Sequence, residues 1–570
     1  MPSSDLIAIA QLNPVVGDLS GNAAQILQAA QTAQAQGATL LLTAELSLTG
    51  YTPQDLLLRP DFLSACAEAL QQLAQDLHTA APGIQVLVGH PSGASADAQG
   101  HWDDARNSAP LFNAVSVLHQ GEIAHTWRKQ CLPNYGVFDE QRDFQPASAS
   151  HQASVWHFAG HKLGVLICED AWTPAPALAC QHAGAEVLLI LNASPYHAGK
   201  AAERVATMQQ LQQTCPLPLI YTHMVGGQDE LVFDGCGFAL ARNGQVLLQT
   251  AAFVSDLAFI SLSTLLGAKP AQVAPIFEVW PSGEAELWQA LVLGLRDYVR
   301  KNGFSRVALG LSGGIDSALV AVLAVDALGA DQVHTVMMPS PYTADMSWQD
   351  ARELAQRCGM RHDEVAIAPA LDALKTSLAP VFDGRGEDVT EENMQARIRG
   401  LMLMALSNKT GALILSCGNK SEYATGYCTL YGDMCGAFAP IKDVLKTQVF
   451  ALARWRNAHN PFDTAAQPIP ERIITRPPSA ELRPGQVDQD NLPPYEVLDA
   501  LLLAHMEGHA GANDLIAGGF PADIVGKVLR LIKISEYKRH QAAPGSRVSR
   551  RAFGRDWRIP LTQQFPVLPA

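Results

Sequence analysis

The sequence predicts an α/β protein in two parts, on three observations. Strand-like apolar segments alternate with amphipathic helical segments along most of the chain. Glycine and prolines interrupt this alternation between Leu265 and Pro281, which predicts an interdomain connection. A Ser-Gly-Gly-Ile-Asp-Ser turn at 312–317 then joins a predicted strand to a predicted helix. We therefore expect three regions: a first domain at 1–264, a linker at 265–283 and a second domain at 284–570.

In the first domain, short apolar runs predict strands, and Ala- and Gln-rich stretches between them predict helices. The predicted strands are Leu6–Leu12, Thr39–Thr43, Ile84–Gly89, Leu163–Ile167, Val187–Leu191 and Leu219–Thr222. The predicted helices are Asn22–Gln36, Asp61–His78 and Ala201–Thr214. Paired strand patterns around 116–126 and 238–253 add antiparallel character. Together they predict a mixed α/β domain built in layers.

In the second domain, strands and helices alternate in the manner of a doubly wound parallel sheet. The predicted strands are Arg306–Leu309, Val333–Met338, Arg361–Ile367 and Leu413–Ser416. The predicted helices are Glu284–Lys301, the segment beginning at Ala318, Asp345–Cys358, Thr390–Ser407 and a last helix at Asp523–Lys538. The Pro-rich stretch 458–491 predicts irregular structure.

The composition limits the class of protein. The chain has 570 residues, of which 48% are hydrophobic and 17% are charged, and this predicts a globular protein of more than one domain. A net charge of −15 argues against a general nucleic-acid-binding surface. Neither a signal peptide nor a membrane span is expected from the sequence. The ten cysteines have no zinc-like spacing, and we expect reduced thiols in a cytoplasmic enzyme.

The turn at Gly310–Ser317 indicates nucleotide chemistry. A glycine-rich turn that opens a helix presents free backbone N–H groups, which suit the pyrophosphate of ATP. Ser312 and Ser317 add hydroxyl donors, and Asp316 can hold Mg²⁺ beside the phosphates. The Gly-Lys-Ser/Thr ending of a Walker A loop is missing. The turn resembles the PP-loop of enzymes that split ATP into AMP and pyrophosphate. An ordinary glycine-rich turn is the alternative.

Glu45, Lys129 and Cys168 indicate a second kind of chemistry. Each follows a predicted strand, so a carboxylate, an ammonium and a thiol can meet as base, intermediate stabiliser and nucleophile. The alternatives are a solvated ion pair of Glu45 with Lys129, and a core thiol at Cys168. The three segments resemble the nitrilase/amidase superfamily, in which a Glu-Lys-Cys triad attacks carboxamides. This resemblance implies a nitrilase-like α-β-β-α sandwich in the first domain.

Nearly the whole chain resembles the glutamine-dependent NAD⁺ synthetase family. The motifs are those at 226–235, 338–343, 391–399, 418–433 and 536–545. The resemblance implies ATP-dependent amidation of deamido-NAD⁺ through an adenylated intermediate, with ammonia released from glutamine and passed between the domains. It implies ATP as co-substrate, Mg²⁺, no prosthetic group, no nucleic-acid or membrane partner, and a homo-oligomer.

The resemblance also implies site residues beyond the triad. The glutamine-binding candidates are Tyr51, Tyr135, Glu140, Ser194 and Lys200. The ATP-binding candidates are Gly310, Leu311, Ser312, Gly313, Gly314, Ile315, Asp316, Ser317, Cys417 and Lys446, with Ser479 a further one. The candidates for deamido-NAD⁺ are Asn393, Glu422 and Lys538, and those for Mg²⁺ are Asp316 and Glu422. Cys417 stands where the family commonly has threonine, and a thiol is a poorer donor than a hydroxyl.

Several alternatives stay open at this point. Asn393 and Arg397 share a helix face and could cap the helix or pair with acidic neighbours. Glu422 could be a surface carboxylate, and the C-terminal arginines could form a solvated tail. A PP-loop amidotransferase acting on another acid, or a nucleotide sensor without catalysis, are the competing functions. The nitrilase-like half argues against the first, and the intact triad and loop argue against the second.

Overall fold

A computed structural model of the protein describes residues 5–93, 110–147, 153–267, 279–479, 481–483 and 485–566. The described residues divide into two compact units. One takes residues from 1–228 and 232–281, and the other takes residues from 229–231 and 282–570. Residues 268–278 of the predicted linker lie outside the described part of the chain. No helix in the described part is both long enough and apolar enough to cross a membrane.

Strands and helices alternate along the first part of the chain. The strands are β1 (Leu6–Gln11), β2 (Leu40–Leu42), β3 (Gln85–Gly93), β4 (Leu111–His119), β5 (Glu122–Arg128), β6 (Val155–Phe158), β7 (His161–Ile167), β8 (Val187–Asn192), β9 (Leu219–His223), β10 (Val225–Gln228), β11 (Leu231–Asp234), β12 (Phe238–Leu240), β13 (Val246–Gln249) and β14 (Asp256–Ser261). The helices are α1 (Leu19–Ala35), α2 (Pro60–Ala80), α3 (Glu140–Asp143), α4 (Pro174–His182), α5 (Lys200–Thr214) and α6 (Leu262–Leu265).

Two six-stranded mixed sheets form the middle of the first unit. Their strand orders are β14-β1-β2-β3-β4-β5 and β13-β12-β9-β8-β7-β6. Apolar side chains of both sheets, such as Ile9 and Leu163, meet in one buried core. The outer face of the first sheet packs on α1 and α2, and that of the second on α4 and α5. The central strands, such as β8, are buried on both faces because each sheet is covered on both sides, whereas the edge strand β5 is largely exposed. The predicted α-β-β-α sandwich is confirmed.

The second unit is built mostly from helices around a smaller sheet. Its strands are β15 (Val307–Gly310), β16 (Val333–Met337), β17 (Arg361–Glu364) and β18 (Leu413–Ile414). Its helices are α7 (Glu284–Lys301), α8 (Ile315–Leu328), α9 (Asp345–Cys358), α10 (Ala368–Phe382), α11 (Val389–Thr410), α12 (Lys420–Thr425), α13 (Lys446–Ala458), α14 (Glu471–Thr475), α15 (Tyr495–Met506), α16 (Ala512–Ala517), α17 (Ala522–Ile534) and α18 (Glu536–Arg539).

The sheet of the second unit is parallel, in the order β17-β16-β15-β18. Helices α10 and α11 bury one face through Leu371 and Ile398, against Ala308 and Val336. The chain runs from β15 through β16 to β17 at one edge of the sheet and then returns to β18 on the other side of β15. Because crossovers between parallel strands are right-handed, α8 and α9 lie on the face opposite to α10 and α11. The predicted doubly wound parallel sheet is confirmed, and its reversal point lies beside β15.

Several predicted elements need correction. The stretch 458–491, predicted to be irregular, contains α14, and the strand predicted at Leu413–Ser416 ends at Ile414. The last helix, predicted at Asp523–Lys538, breaks at Ser535, because the Ser535 hydroxyl donates to the Thr425 carbonyl oxygen at 3.1 Å and the chain turns to pack there. The strand predicted at Arg361–Ile367 ends at Glu364. The Ile367 N–H instead donates to the Pro339 carbonyl oxygen at 3.1 Å, so this residue leads into α10.

Candidate functional site

Glu45, Lys129 and Cys168 are brought together in the first unit. Lys129 follows β5 directly, Cys168 follows β7 directly, and Glu45 lies three residues beyond β2. Lys129 Nζ donates to Glu45 Oε1 at 2.7 Å, and Cys168 interacts electrostatically with both. Each of these three residues is at most 2% exposed. The interpretation of Glu45 and Lys129 as a solvated pair is therefore wrong.

A second carboxylate completes this cluster. Lys129 Nζ also donates to Glu140 Oε2 at 2.8 Å. Burial by itself lowers the pKa of Lys129, but Glu140 and Glu45 outweigh it and raise that pKa well above its usual value. Burial raises the pKa of Glu140. Burial, with Glu45 adding to it, also raises the pKa of Cys168 well above its usual value. The resting thiol is therefore protonated, and its proton must move to a base before sulfur can attack.

The backbone holds the buried Cys168 in a left-handed conformation at the strand end. Its φ is 44°, a left-handed value that a residue with a Cβ adopts only where the surroundings enforce it. The Asp170 carboxylate accepts N–H groups from Ile167, Gln130 and Cys131, at 3.2, 2.9 and 2.7 Å. One buried carboxylate thus ties the Cys168 turn to the segment that follows Lys129.

The predicted glutamine-binding residues surround this cluster. Tyr51 Oη donates to Glu140 Oε1 at 2.8 Å, and Tyr135 Oη donates to Glu169, the neighbour of Cys168, at 3.0 Å. Ser194 follows Ala193, whose N–H donates to Glu45 Oε2 at 3.1 Å. These contacts place aromatic and hydroxyl groups around the nucleophile on several sides.

Lys200 stands at the N-terminus of α5, near the same cluster. Its Nζ donates to Glu203 Oε1 at 2.7 Å and lies 4.4 Å from the centre of the Trp172 ring. It also interacts electrostatically with Glu169 and Cys168. A lysine side chain in this position can bind a substrate carboxylate.

In the second unit the predicted loop lies between β15 and α8. Gly313 has φ +77°, and a Cβ on it would come within 2.4 Å of the Ser347 carbonyl oxygen. A side chain is therefore excluded at this position. Ser317 Oγ accepts from the Ser312 N–H at 3.2 Å and donates to the Gly314 carbonyl oxygen at 3.1 Å, which holds the loop closed on itself. The N-terminus of α8 opens into a cavity of about 280 Å³.

A second buried lysine lies between two carboxylates at this cavity. Lys446 Nζ donates to Asp316 Oδ2 at 2.5 Å and to Glu422 Oε1 at 3.1 Å. Asn419 Nδ2 donates to Asp316 Oδ1 at 2.8 Å. Burial raises the pKa of Glu422 to about 8, although Lys446 opposes this. Asp316 and Glu422 line the cavity, so the interpretation of Glu422 as a surface carboxylate is wrong.

The cavity wall includes most of the other predicted ATP-binding residues. Cys417, Lys446 and Ser479 line it together with the loop, although Gly313 is not among the described wall residues. Asn393 and Lys538 are also absent from the described wall. Asn393 Oδ1 accepts from the wall residue Thr429 at 3.0 Å, and Lys538 Nζ donates to the carbonyl oxygens of Gly426 and Cys428 at 2.8 and 2.7 Å. Asn393 therefore contacts a wall residue directly, whereas Lys538 contacts the two neighbours of the wall residue Tyr427.

Comparison with known proteins finds one family model in each half of the chain. A carbon-nitrogen hydrolase family model matches residues 6–264, and an NAD synthase family model matches residues 287–542. Glutamine-dependent NAD(+) synthetases of Rhodobacter capsulatus and Xylella fastidiosa are 47% and 46% identical, each over 98% of both chains. The chain belongs to the glutamine-dependent NAD⁺ synthetases.

A solved member of this family supports the assignment. The glutamine-dependent NAD⁺ synthetase of Acinetobacter baumannii, in complex with ADP, is 40% identical with a TM-score of 0.74, over 99% of this chain and 100% of that one. As a glutamine-dependent NAD⁺ synthetase, the chain is a glutamine-hydrolysing ligase. Both competing functions, another PP-loop amidotransferase and a non-catalytic sensor, are excluded.

Four site residues were missed from the sequence. Asn113 donates to Glu45, Glu169 accepts from Tyr135, and Asn419 donates to Asp316. Arg476 lines the cavity, and its guanidinium donates to the Gly313 carbonyl oxygen at 3.1 Å. Glu169 and Asn419 adjoin motifs already recognised and could have been found there. Asn113 and Arg476 come from segments whose sequence gives no signal of a site.

The open alternatives in the second unit are decided by contacts. Arg397 Nε donates to the Leu430 carbonyl oxygen at 3.2 Å, so it neither caps its helix nor pairs with an acid there. Arg539 is buried against Glu536 at 2.6 Å, and Arg547 against Asp556 at 2.6 Å. For these two residues a solvated tail is the wrong interpretation, since both fix the packing of the C-terminal segment.

Proposed function

We propose that the two halves of the reaction run in two separate sites, with a glutaminase at 1–264, a linker at 265–283 and a synthetase at 284–570. The observation that carries this proposal is the buried hydrogen bond of 2.7 Å between Lys129 and Glu45 beside the Cys168 thiol. A base, a cation and a nucleophile in a closed pocket are what hydrolysis of a carboxamide requires.

In the glutaminase, Glu45 takes the proton of Cys168 as sulfur attacks the side-chain carbonyl carbon of glutamine. Lys129 stabilises the oxyanion of the tetrahedral intermediate. When the C–N bond breaks, Glu45 returns the proton to the leaving nitrogen, and ammonia departs from a γ-glutamyl thioester. Glu45 then deprotonates water, which attacks the thioester, and the proton returns to sulfur as glutamate leaves.

The glutamine pocket follows from the groups around Cys168. Lys200 holds the α-carboxylate of glutamine, because its side-chain nitrogen lies near the nucleophile and is paired with Glu203. Tyr51, Tyr135 and Ser194 orient the substrate through their hydroxyl groups. Glu140 holds Lys129, with which it makes hydrogen bonds of 2.8 and 2.9 Å.

In the synthetase, ATP binds at the loop Gly310–Ser317, whose backbone N–H groups meet the phosphates. The carboxylate of deamido-NAD⁺ attacks the α-phosphorus and releases pyrophosphate, and ammonia then displaces AMP from the acyl adenylate. Lys446, Cys417 and Ser479 form further walls of the ATP site. Asn393, Glu422 and Lys538 contribute to the deamido-NAD⁺ site, where Asn393 and Lys538 act from behind the cavity wall.

Asp316 and Glu422 fit a Mg²⁺ ion. Their carboxylate oxygens are hard ligands that converge on one cation, the Lys446 ammonium. No group of three or more acidic, His or Cys side chains forms a metal site in the described part of the chain. One or two carboxylates completed by substrate phosphates is how Mg²⁺ is commonly held. When bound, the ion neutralises charge that develops on the departing pyrophosphate.

Three further features complete the proposal. Ammonia passes from the glutaminase to the synthetase sheltered from water, since it is a nucleophile only while unprotonated. The protein forms a homo-oligomer, as its resemblance to the family implies. It works in the cytoplasm, which suits ten cysteines that are all free thiols. Light scattering on the purified chain tests the oligomer, and a monomer under assay conditions would contradict it.

The test of the two-site proposal is NAD⁺ formation from deamido-NAD⁺, ATP and Mg²⁺ with either nitrogen source. The native chain should use glutamine and ammonium salts. Glu45→Gln should lose glutamine-driven synthesis and retain ammonia-driven synthesis, because it removes only the base of the first site. Loss of both activities in a folded Glu45→Gln protein would contradict separate sites.

A further inference from the structure

The two carboxylate oxygens of Glu45 are held unequally. Oε1 accepts hydrogen bonds from Lys129 Nζ and from Asn113 Nδ2, both at 2.7 Å. Among the residues that the structure describes, Oε2 accepts a single hydrogen bond, from the Ala193 N–H at 3.1 Å. The carboxylate therefore has one side filled by two strong donors and one side with a weaker contact.

This asymmetry bears on which atom acts as the base. Each oxygen of an ionised carboxylate offers about two lone-pair directions to donors. Two short donors fill those directions on Oε1. One direction remains on Oε2, and a proton arriving from the thiol or from water needs such a lone pair.

Asn113 is placed to enforce the asymmetry. It lies in β4, where it is 1% exposed. Its backbone carbonyl oxygen accepts a hydrogen bond from the Lys129 backbone N–H at 2.8 Å. One residue therefore fixes both the backbone of Lys129 and the side chain of Glu45. The side-chain amide of Asn113 has its nitrogen toward Glu45, where Nδ2 donates to Oε1 at 2.7 Å. Asn113 Oδ1 has no hydrogen-bond partner among the described residues.

We propose that Asn113 is a positioning residue of the glutaminase: together with Lys129 it occupies Glu45 Oε1, and so it reserves Oε2 as the atom that carries the proton. Oε2 takes the Cys168 proton as the S–C bond forms and gives it to nitrogen as the C–N bond breaks. It then takes a proton from water and returns it to sulfur. This inference rests on the proposed role of Glu45 as the base.

The same contacts predict a change in pH dependence. The ionisable groups that face Glu45 are Lys129, Glu140, Cys168 and Tyr51. Lys129 is shared with Glu140, and the amide of Asn113 is the second side-chain donor to Glu45 Oε1, at 2.7 Å. Without that donor the ionised base is less favoured, and the acid limb of the glutaminase profile moves to higher pH.

Asn113→Leu tests this in the full chain, because it keeps the side-chain volume and removes the donor. We expect glutamine-driven kcat to fall roughly 10- to 100-fold, with a smaller change in KM, and the acid limb to move upward. Ammonia-driven synthesis should be unchanged, which shows that the chain is folded. Ser116→Ala is the matched control, since it removes a buried hydroxyl from the same strand away from Glu45.

Asn113→Asp keeps the shape and decides the matter if the leucine variant fails to fold. Its carboxyl can donate to Glu45 Oε1 only when protonated, so its glutamine-driven rate relative to the native chain should rise as the pH falls. A native rate and native pH profile in both variants would overturn the inference, as would a lower rate with an unchanged profile. If Glu45→Gln also keeps glutamine-driven synthesis, the proposed function itself has failed.

Discussion

Each half of the chain holds a buried lysine between two carboxylates, but the two clusters differ in how their carboxylates meet solvent. Around Lys129, the side chains of Glu45 and Glu140 are 0% and 5% exposed. Around Lys446, those of Asp316 and Glu422 are 18% and 16% exposed, and both face the cavity. Both clusters consist of one lysine and two acidic residues, with N–O distances of 2.7 and 2.8 Å around Lys129 and 2.5 and 3.1 Å around Lys446.

The difference matches two kinds of chemistry. In the closed cluster the carboxylates are held by protein donors, which suits the proton transfer that we propose for Glu45. In the open cluster the carboxylates line the cavity, where we propose that they bind a cation that arrives with the phosphates. The exposure of the carboxylates is the feature that differs between the two clusters.

The largest expected effect separates the two clusters completely. Cys168→Ala removes the nucleophile of the closed site, and glutamine-driven synthesis should fall by about 10⁴-fold or more. Ammonia-driven synthesis should stay at the native level, because the open site is unchanged. Steady-state assays with each nitrogen source measure both rates. Cys131→Ala is the control thiol, and a comparable loss there would contradict the assignment of Cys168.

Asp316→Ala is the complementary change in the open cluster. It removes a carboxylate that binds Lys446 and faces the loop, and synthesis from either nitrogen source should fall by about 10²- to 10³-fold. Thioester formation at Cys168, followed as release of glutamate from glutamine, should persist at the same time. The exposed carboxylate Asp331, altered to alanine, is the control. Native ammonia-driven turnover in Asp316→Ala would refute its role.

Removing each lysine tests the burial argument through stability. Lys129→Met leaves two buried carboxylates without their cation, and the free energy of unfolding should drop by about 3–5 kcal/mol. Lys446→Met should cost clearly less, since its carboxylates can be hydrated from the cavity. Urea unfolding followed by circular dichroism measures both.

A second substitution identifies the cause of the Lys129 effect. Adding Glu140→Gln to Lys129→Met removes the surplus negative charge and should restore part of the lost stability. Equal losses in the two single variants, or no recovery in the double variant, would show that exposure does not distinguish the clusters.

Arg476 sharpens the description of the open site. Its guanidinium donates to the Gly313 carbonyl oxygen at 3.1 Å and to Ser347 Oγ at 2.9 Å, beside a loop that lacks a Walker lysine. If it also binds phosphate, Arg476→Gln should raise the KM for ATP about 10-fold with either nitrogen source. Arg472→Gln is the control, because Arg472 pairs with Asp350 outside the cavity wall. Equal KM values in the two variants would exclude a phosphate contact.

These residues also show what can be predicted from sequence. The strand-end positions of Lys129 and Cys168 and the loop at 312–317 were predictable, because local periodicity and turn chemistry determine them. Asn113 was not, since only the pairing of β4 with its neighbours brings it to Glu45.

Long-range packing explains the other differences. Arg476 reaches Gly313 across 163 positions of sequence. The break at Ser535 likewise depends on a hydrogen bond to Thr425, which lies 110 positions earlier in the sequence. The apolar periodicity of 523–538 therefore could not predict this break. Local patterns thus predicted the elements and most site residues, whereas contacts between distant segments decided the supporting residues.

Cys417 provides the smallest expected effect and the finest test of the open site. Its thiol lines the cavity, burial raises its pKa, and a neutral thiol is a weak hydrogen-bond donor. Cys417→Thr should lower the KM for ATP by about 2- to 3-fold, the value of one modest hydrogen bond. Cys417→Ser separates the hydroxyl from the added methyl group. If Cys417→Ser lowers the KM for ATP as much as Cys417→Thr, the hydroxyl is the cause. If neither variant changes this KM, the backbone of this segment contacts ATP and the side chain at 417 does not.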